Sequence, residues 1–139
     1  MPLPAKLEEI VDDFAAAPDD LRAELLLEMS DTLPPLPDGM DASSMEQVTE
    51  CQTPFFLATR IDPDDTVHLF FDAPPQAPTT RGFAGILAQG LEGSTRAEVL
   101  AVEDDFHDRL ELARLISPLR MRGMAAILAR LKRQVRQAG

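Results

Sequence analysis

One thiol is the most reactive side chain that this sequence offers. Cys51 is the only cysteine among 139 residues, and it lies in a polar segment, residues 49–54, that reads TECQTP. Polar segments that end in proline are typical of surface loops. We therefore expect a chemical role for Cys51, although cysteine often serves as a small buried apolar residue. The thiolate is the reactive form, and the carboxylate of Glu50 should oppose its formation.

Other kinds of chemistry find less support in the sequence. A cysteine hydrolase needs a base beside its thiol, and the two candidates are His68, inside a predicted strand, and His107, in a charged stretch. Both histidines are better explained as structural or solvated residues. A single cysteine excludes Cys-rich zinc and iron–sulfur sites within one chain, and no other metal-ligand spacing or glycine-rich phosphate loop occurs.

Composition favours one cytoplasmic domain that spans residues 1–139. The net charge of −11 argues against nucleic acid as a partner. No apolar run reaches membrane-spanning length, and the first residues, MPLP, lack the features of a signal peptide. The stretch from residue 118 to the end holds six basic and no acidic residues, whereas the first fifty hold thirteen acidic and two basic residues. This asymmetry indicates either charge complementarity within the fold or a basic helix used for docking.

The N-terminal third predicts two helices. Apolar residues recur at helical spacing over residues 5–16, and a second helix begins after Pro18, where early aspartates suit the helix dipole. The proline-rich segment 33–39, LPPLPDG, must end this second helix because proline cannot continue it.

A hairpin of strands is predicted next to the cysteine. Residues 45–50 are a possible short strand, and residues 55–61 and 66–71 are strands separated by a turn at 62–65. Val67, Leu69 and Phe71 alternate on one face. We expect an antiparallel sheet with that face covered by helices.

The C-terminal half predicts helices. Thr79 or Thr80 is expected to cap a helix that ends at Gly90 and Gly93, with small residues at 82–85 permitting close packing. Short helices are expected from the capping box at Thr95 and at residues 110–116. Ser117 and Pro118 begin the longest helix. Clustered strands followed by clustered helices indicate an α+β fold with a small antiparallel sheet.

Several motifs, in order, resemble the SufE/CsdE-type sulfur acceptors. VTECQT at 48–53 precedes an aromatic–aliphatic strand, as in that family. The resemblance extends to the proline-rich segment before it and to RGFA at 81–84. GST at 93–95 and LISPLRMRGM at 115–124 also fit. Together these motifs cover nearly the whole chain.

This resemblance implies a function. Such proteins stimulate a pyridoxal-phosphate cysteine desulfurase of the SufS/CsdA type, accept its persulfide sulfur, and pass it to the iron–sulfur scaffold complex. Cys51 takes the place of the acceptor, and Arg120 that of an arginine beside the active loop. Gln52 and Arg81 also match. The fold is expected to be similar to that of IscU-type scaffolds, with no metal or cofactor of its own.

The sequence departs from the family pattern near these residues. Glu50 replaces a small residue, Phe56 a common tryptophan, Leu119 a serine and Arg122 a polar amide. We expect Arg120 to favour the Cys51 thiolate against Glu50. The alternative function is an adaptor that binds and activates an enzyme while Cys51 is incidental.

Overall fold

The structure, a computed structural model, describes residues 3–138. It is an α+β fold, as predicted, with a small antiparallel sheet and helices that precede and follow it. The elements in chain order are α1 (Ala5–Ala16), α2 (Asp19–Asp31), β1 (Glu46–Gln47), β2 (Phe56–Ile61), β3 (Val67–Asp72), α3 (Pro78–Leu91), α4 (Arg96–Leu100) and α5 (Pro118–Gln137). Short 3₁₀ helices occupy Ala42–Ser44 and Phe106–Leu110.

The sheet confirms the predicted hairpin, and the short strand expected within residues 45–50 is present as β1. Its order is β1-β2-β3, antiparallel throughout, and Leu57 pairs with both Glu46 of β1 and Phe71 of β3. The apolar face of β3 is buried, as its alternation predicted. Helix α5 packs on β2 and α3 packs on β3, so one face of the sheet forms part of a continuous core.

Helices α2 and α3 pack unusually closely, as the small residues at 82–85 predicted. A Cβ atom at Gly85 would lie 2.0 Å from the backbone oxygen of Met29, and one at Gly82 would lie 2.5 Å from that of Leu26. The two backbones therefore touch directly, and any side chain at these positions would force them apart.

Arg22 of α2 ties the N-terminal helices together. Its guanidinium donates to the carbonyl oxygens of Phe14 at 2.8 Å and Ala17 at 2.5 Å. It also donates to Asp19 at 2.8 Å and to the carbonyl oxygen of Glu111 at 3.3 Å. The residue is only 6% exposed. Buried main-chain carbonyls need donors, and this side chain supplies them where the chain turns between α1 and α2.

Three helix starts with a capping side chain were predicted, and two of them are confirmed. The Thr95 side chain accepts from the Glu98 N–H in a complete capping box, and Ser117 accepts from the Arg120 N–H before Pro118. Capping of α3 by Thr79 or Thr80 is wrong. The helix begins at Pro78, and Thr80 lies inside it, because proline suits the first helical position and needs no N–H partner there.

Two further expectations are corrected. Gly90 lies within α3, and the chain leaves the helix through Gly93, whose φ is +82°. Residues 110–116 are not a helix. A 3₁₀ helix ends at Leu110, and Glu111 follows with a left-handed φ of 57°. Burial of Leu112 and Ile116 is achieved by turns, which satisfy the same apolar pattern as a helix would. Among residues 3–138, none of the helices is long and apolar enough to cross a bilayer.

Candidate functional site

Cys51 lies in the tight loop that joins β1 to β2, residues 49–54, called here the Cys51 loop. The base of this loop is closed by a hydrogen bond of 2.8 Å from the Val48 N–H to the Phe55 carbonyl oxygen. Val48 and Phe55 are themselves buried. The Cys51 N–H donates to the carbonyl oxygen of Val48 at 3.2 Å. The sheet and core therefore fix the two ends of the loop while Cys51 projects from it.

The thiol rests on helix α5. The Cys51 Sγ atom lies 4.0 Å from the carbonyl oxygen of Gly123, a distance that permits a weak S–H···O hydrogen bond. A Cβ atom at Gly123 would lie 3.4 Å from the same sulfur, so a larger residue would crowd the thiol. Cys51 is half-buried as a result. Sequence reasoning expected the loop but could not show this contact with a residue 72 positions away.

A small cavity of about 40 Å³ adjoins the thiol. Its walls come from the Cys51 loop, from the start of α3 and from the start of α5. Gln52, Leu119 and Arg120 contribute to it, together with Gly123. The space next to the sulfur atom is therefore bounded by protein on several sides.

The surroundings of Cys51 favour the neutral thiol. Burial raises the pKa of Cys51 to about 11, the negative charge of Glu50 adds to the increase, and Arg130 opposes it. The thiol is therefore protonated at neutral pH while the loop rests on α5. Glu50 acts in the direction that the sequence predicted, and the cation that lowers the pKa is Arg130.

Arg130 connects α5 to the segment that leads to Cys51. Its guanidinium donates to the Glu50 carboxylate at 2.7 Å, to the Thr49 hydroxyl at 3.2 Å and to the Glu46 carboxylate at 2.7 Å. The pKa of Glu50 is lowered by hydrogen bonds that its carboxylate accepts from the Glu50 backbone N–H and from Arg130. One arginine of the basic helix thus holds both ends of an acidic segment.

Glu46 has further partners on the same helix. Arg133 forms an ion pair with it, and the amide of Gln134 donates to it at 2.9 Å. Burial alone would raise the pKa of Glu46, but the hydrogen bonds from Arg133, Gln134 and Arg130 outweigh it and lower the pKa to about 2. Here the basic C-terminal helix meets acidic residues of the first fifty, which is the charge complementarity that composition indicated.

The predicted site residues are only partly brought together. Gln52 and Arg120 both line the cavity beside Cys51, and the Arg120 residue is exposed. Arg81 lies elsewhere, where it donates to the carbonyl oxygens of Ser30 at 3.1 Å and Ala73 at 2.5 Å. These contacts connect α3 to α2 and to the end of β3. The functional roles of all three residues stay predictions.

Two residues of the site, Gly123 and Arg130, were missed. The segment LISPLRMRGM that matched the family contains Gly123, so attention to small residues early in α5 would have found it. Arg130 was counted among six basic residues, but nothing in the sequence distinguishes it from the other five. Its role depends on which side of α5 faces the loop.

Both histidines contact carboxylate groups in this structure. The His68 ring nitrogens lie 2.7 Å from an Asp62 oxygen and 2.5 Å from a Glu92 oxygen. Hydrogen bonding to Asp62 and then to Glu92 raises the pKa of His68, which favours the protonated ring. His107 contacts Asp108 at 3.5 Å. No group of three or more His, Cys, Asp or Glu residues suited to a metal ion occurs within residues 3–138.

Comparisons with known proteins agree on one family. The family described as "SufE: Fe-S metabolism associated domain" matches residues 8–135. An uncharacterized SufE-like protein of Mycobacterium tuberculosis is 52% identical over 136 residues, which are 98% of this chain and 95% of that protein. The chloroplastic/mitochondrial SufE-like protein 1 of Arabidopsis thaliana is 28% identical over 133 residues, 95% of this chain and 35% of that protein.

A solved structure has the same fold. The solution structure of a hypothetical protein from Thermus thermophilus superposes with a TM-score of 0.87 and is 41% identical, covering 99% of this chain and 98% of that one. The arrangement of helices around a small antiparallel sheet is therefore shared with an experimentally determined relative.

Proposed function

We propose, from the premise that this chain belongs to the SufE family, whose domain is associated with Fe–S metabolism, that Cys51 is a sulfur carrier. It accepts sulfur from the persulfide of a pyridoxal-phosphate cysteine desulfurase and delivers it to the machinery that assembles iron–sulfur clusters. On this proposal the chain needs no cofactor of its own, and the pyridoxal phosphate belongs to the partner.

The observation that carries the proposal is the position of Cys51 in a tight loop beside a small cavity. The loop presents one sulfur atom at the turn between two strands, and only the loop ends are fixed by the core. The cavity of about 40 Å³ exceeds the ~10–15 Å³ that admits one water-sized group. A second sulfur atom attached to Cys51 is of that order of size, so the resting site can enclose a persulfide.

The chemical step is an exchange between sulfur atoms. The Cys51 thiolate attacks the outer sulfur of the desulfurase persulfide, a new S–S bond forms at Cys51, and the donor's S–S bond breaks. The donor cysteine leaves as a thiolate, and the proton lost by Cys51 balances the one that the donor regains. No oxidant is consumed. Delivery is the same kind of exchange with Cys51 as the donor. The thiolate of the next acceptor attacks the outer sulfur on Cys51, and Cys51 leaves as a thiolate.

The resting thiol is poorly suited to this attack, which supports a carrier that reacts only in its complex. Since the pKa of Cys51 is about 11 when the loop rests on α5, little thiolate is present near neutral pH. Burial is the main cause of that increase. Movement of the loop away from α5 would therefore restore reactivity, and contact with the desulfurase supplies a reason for that movement.

Mass spectrometry tests the proposal. The protein is incubated with a pyridoxal-phosphate cysteine desulfurase and cysteine, and we expect a gain of about 32 Da per sulfur atom, located on the Cys51 peptide. Cys51→Ser is the matched control, because serine has nearly the same size but its hydroxyl is a poor nucleophile without a base. It should fold normally, by circular dichroism, and gain no mass.

Desulfurase turnover, measured in the same samples, distinguishes a sulfur carrier from an adaptor. A carrier stimulates turnover, and Cys51→Ser abolishes the sulfur transfer that drives this stimulation. Stimulation that survives in Cys51→Ser, with no mass added to the wild-type protein, would instead establish an adaptor. If the wild-type protein neither stimulates the desulfurase of the same cell nor gains sulfur from it, both functions are refuted.

A further inference from the structure

The segment that runs from β1 to Cys51 makes two acidic contacts with α5, and they are of unequal strength. Glu46 lies in β1 and is bound by Arg130, Arg133 and Gln134. Glu50 directly precedes Cys51, and Arg130 is its only ion-pair partner among the described residues 3–138. Since the Glu46 end has more partners and is part of the sheet, the Glu50 end is the one that can separate from the helix.

Helix α5 supplies both the surface beneath the thiol and the cation that holds the loop. Gly123 and Arg130 are seven residues apart, which places them on the same face two turns apart. The Arg130 side chain is 22% exposed and that of Glu50 is 49% exposed. Water and a partner can therefore reach the ion pair without disturbing the core.

We propose that Arg130 is a positioning residue, and that its pair with Glu50, the Glu50–Arg130 latch, keeps the Cys51 thiol on α5 until the loop is released. Release breaks the bonds to Glu50 and Thr49, while Glu46 stays bound to Arg133 and Gln134 and acts as the fixed end. The latch depends only on contacts within this chain, between the Cys51 loop and α5. Its use in sulfur transfer rests on the proposed function.

The latch also explains a departure from the family pattern. A glutamate before the cysteine opposes thiolate formation, which would be unfavourable in an acceptor that reacted in its resting state. In this structure the same glutamate holds the loop closed. Release separates the thiol from α5 and removes the burial that is the main cause of its raised pKa, so only the smaller contribution of Glu50 remains.

Amide hydrogen exchange tests the latch directly. Arg130→Gln and Glu50→Gln have opposite direct effects on the Cys51 pKa, so thiol reactivity is an ambiguous measure. The exchange of the Cys51 amide reports loop opening instead. We expect exchange at residues 50–53 to be about fivefold faster in each variant, the factor expected for a partly exposed ion pair. The Val48 amide, at the loop base, should keep its wild-type rate.

Arg133→Gln is the matched control. It removes the same charge from the same helix and loses a Glu46 contact, but Arg133 has no bond to Glu50. It should leave exchange at residues 50–53 unchanged. The double variant Glu50→Gln/Arg130→Gln should exchange no faster than Arg130→Gln alone, since that single variant already removes the bonds to Glu50 and Thr49. Added salt should accelerate exchange in the wild type and not in these variants.

Unchanged exchange in Arg130→Gln, equal acceleration in Arg133→Gln, or additive effects in the double variant would each overturn the latch. None of these results depends on a desulfurase. Sulfur on Cys51 together with unchanged exchange would refute the latch and leave the proposed function intact. Faster exchange in the two variants, without any sulfur acceptance by the wild type, would support the latch and refute the proposed function.

Discussion

Among the contacts in which a helical glycine admits a neighbour, two differ in what that neighbour is. At the α2–α3 contact a Cβ on Gly85 would lie 2.0 Å from the main-chain oxygen of Met29. At the α5–Cys51 contact a Cβ on Gly123 would lie 3.4 Å from the Cys51 sulfur. The first contact joins two backbones, and the second joins a backbone to the end of one side chain.

Two arginines also differ in whether they bind main-chain or side-chain atoms. Arg22 is buried and donates mainly to main-chain carbonyl oxygens. Arg130 is partly exposed and binds two carboxylates and a hydroxyl. A buried carbonyl that loses its donor has no replacement, whereas an exposed carboxylate gains water. The comparison teaches that the α2–α3 contact and the Arg22 contacts are made to the backbone in the core, whereas every contact of the Cys51 loop with α5 involves a loop side chain that is at least partly exposed to water.

The largest expected effect is on the α2–α3 contact. Gly85→Ala should destabilise the protein by about 3 kcal/mol, because the added methyl overlaps a backbone that has no room to move. Urea unfolding followed by circular dichroism measures this change. Gly123→Ala is the matched control and should alter stability by less than ~1 kcal/mol, since the better helix propensity of alanine offsets a slight displacement of the thiol. Equal losses in the two variants would remove the distinction between the contacts.

A smaller effect is expected from the arginines. Arg22→Met retains much of the buried volume but leaves the carbonyl oxygens of Phe14 and Ala17 without this donor, and should cost about 2 kcal/mol. Arg130→Met should cost less than ~1 kcal/mol, because its partners become hydrated. Both are read from urea midpoints at constant m-value. A loss for Arg130→Met as large as that for Arg22→Met would show that the loop contacts are structural.

The last expected effect is absent at neutral pH and appears only at alkaline pH. Because the resting loop raises the pKa of Cys51 from the ordinary 9.0 to about 11, the closed loop is favoured below pH 9 and loses that advantage as pH rises towards 11. The rate of Cys51 alkylation by iodoacetamide should therefore still increase between pH 9 and pH 10.5. The urea-unfolded protein is the control, and its rate should be half-maximal near pH 9 and level off near pH 10. Identical profiles would contradict the burial of the thiol at rest.

Local sequence patterns predicted most of the fold correctly. The hairpin, the capping box at Thr95 and the Ser117-Pro118 helix start depend on neighbouring residues, and each is confirmed. The helix expected at 110–116 failed because periodic burial of leucines is satisfied equally well by turns.

The site was harder to predict than the fold. The position of Cys51 in a loop follows from local sequence, but its half-burial depends on Gly123, and its pKa depends partly on Arg130. Both residues lie on a helix more than seventy positions away, and only the packing of α5 against the loop selects them. Arg120 matched a family motif, whereas Arg130 could be found only from the assembled structure.

The hydrogen bond between Val48 and Phe55 also sets a time scale. Under the latch proposal it limits the movement to the six residues 49–54, because the loop is closed at its base next to the sheet. Short loops rearrange in nanoseconds to microseconds, while typical enzymes complete about 1 to 10³ cycles per second. Once the Glu50–Arg130 latch is released, movement of this loop is thus faster than a catalytic cycle of a partner, and under the proposed function the pace of transfer is set by encounter, release and chemistry.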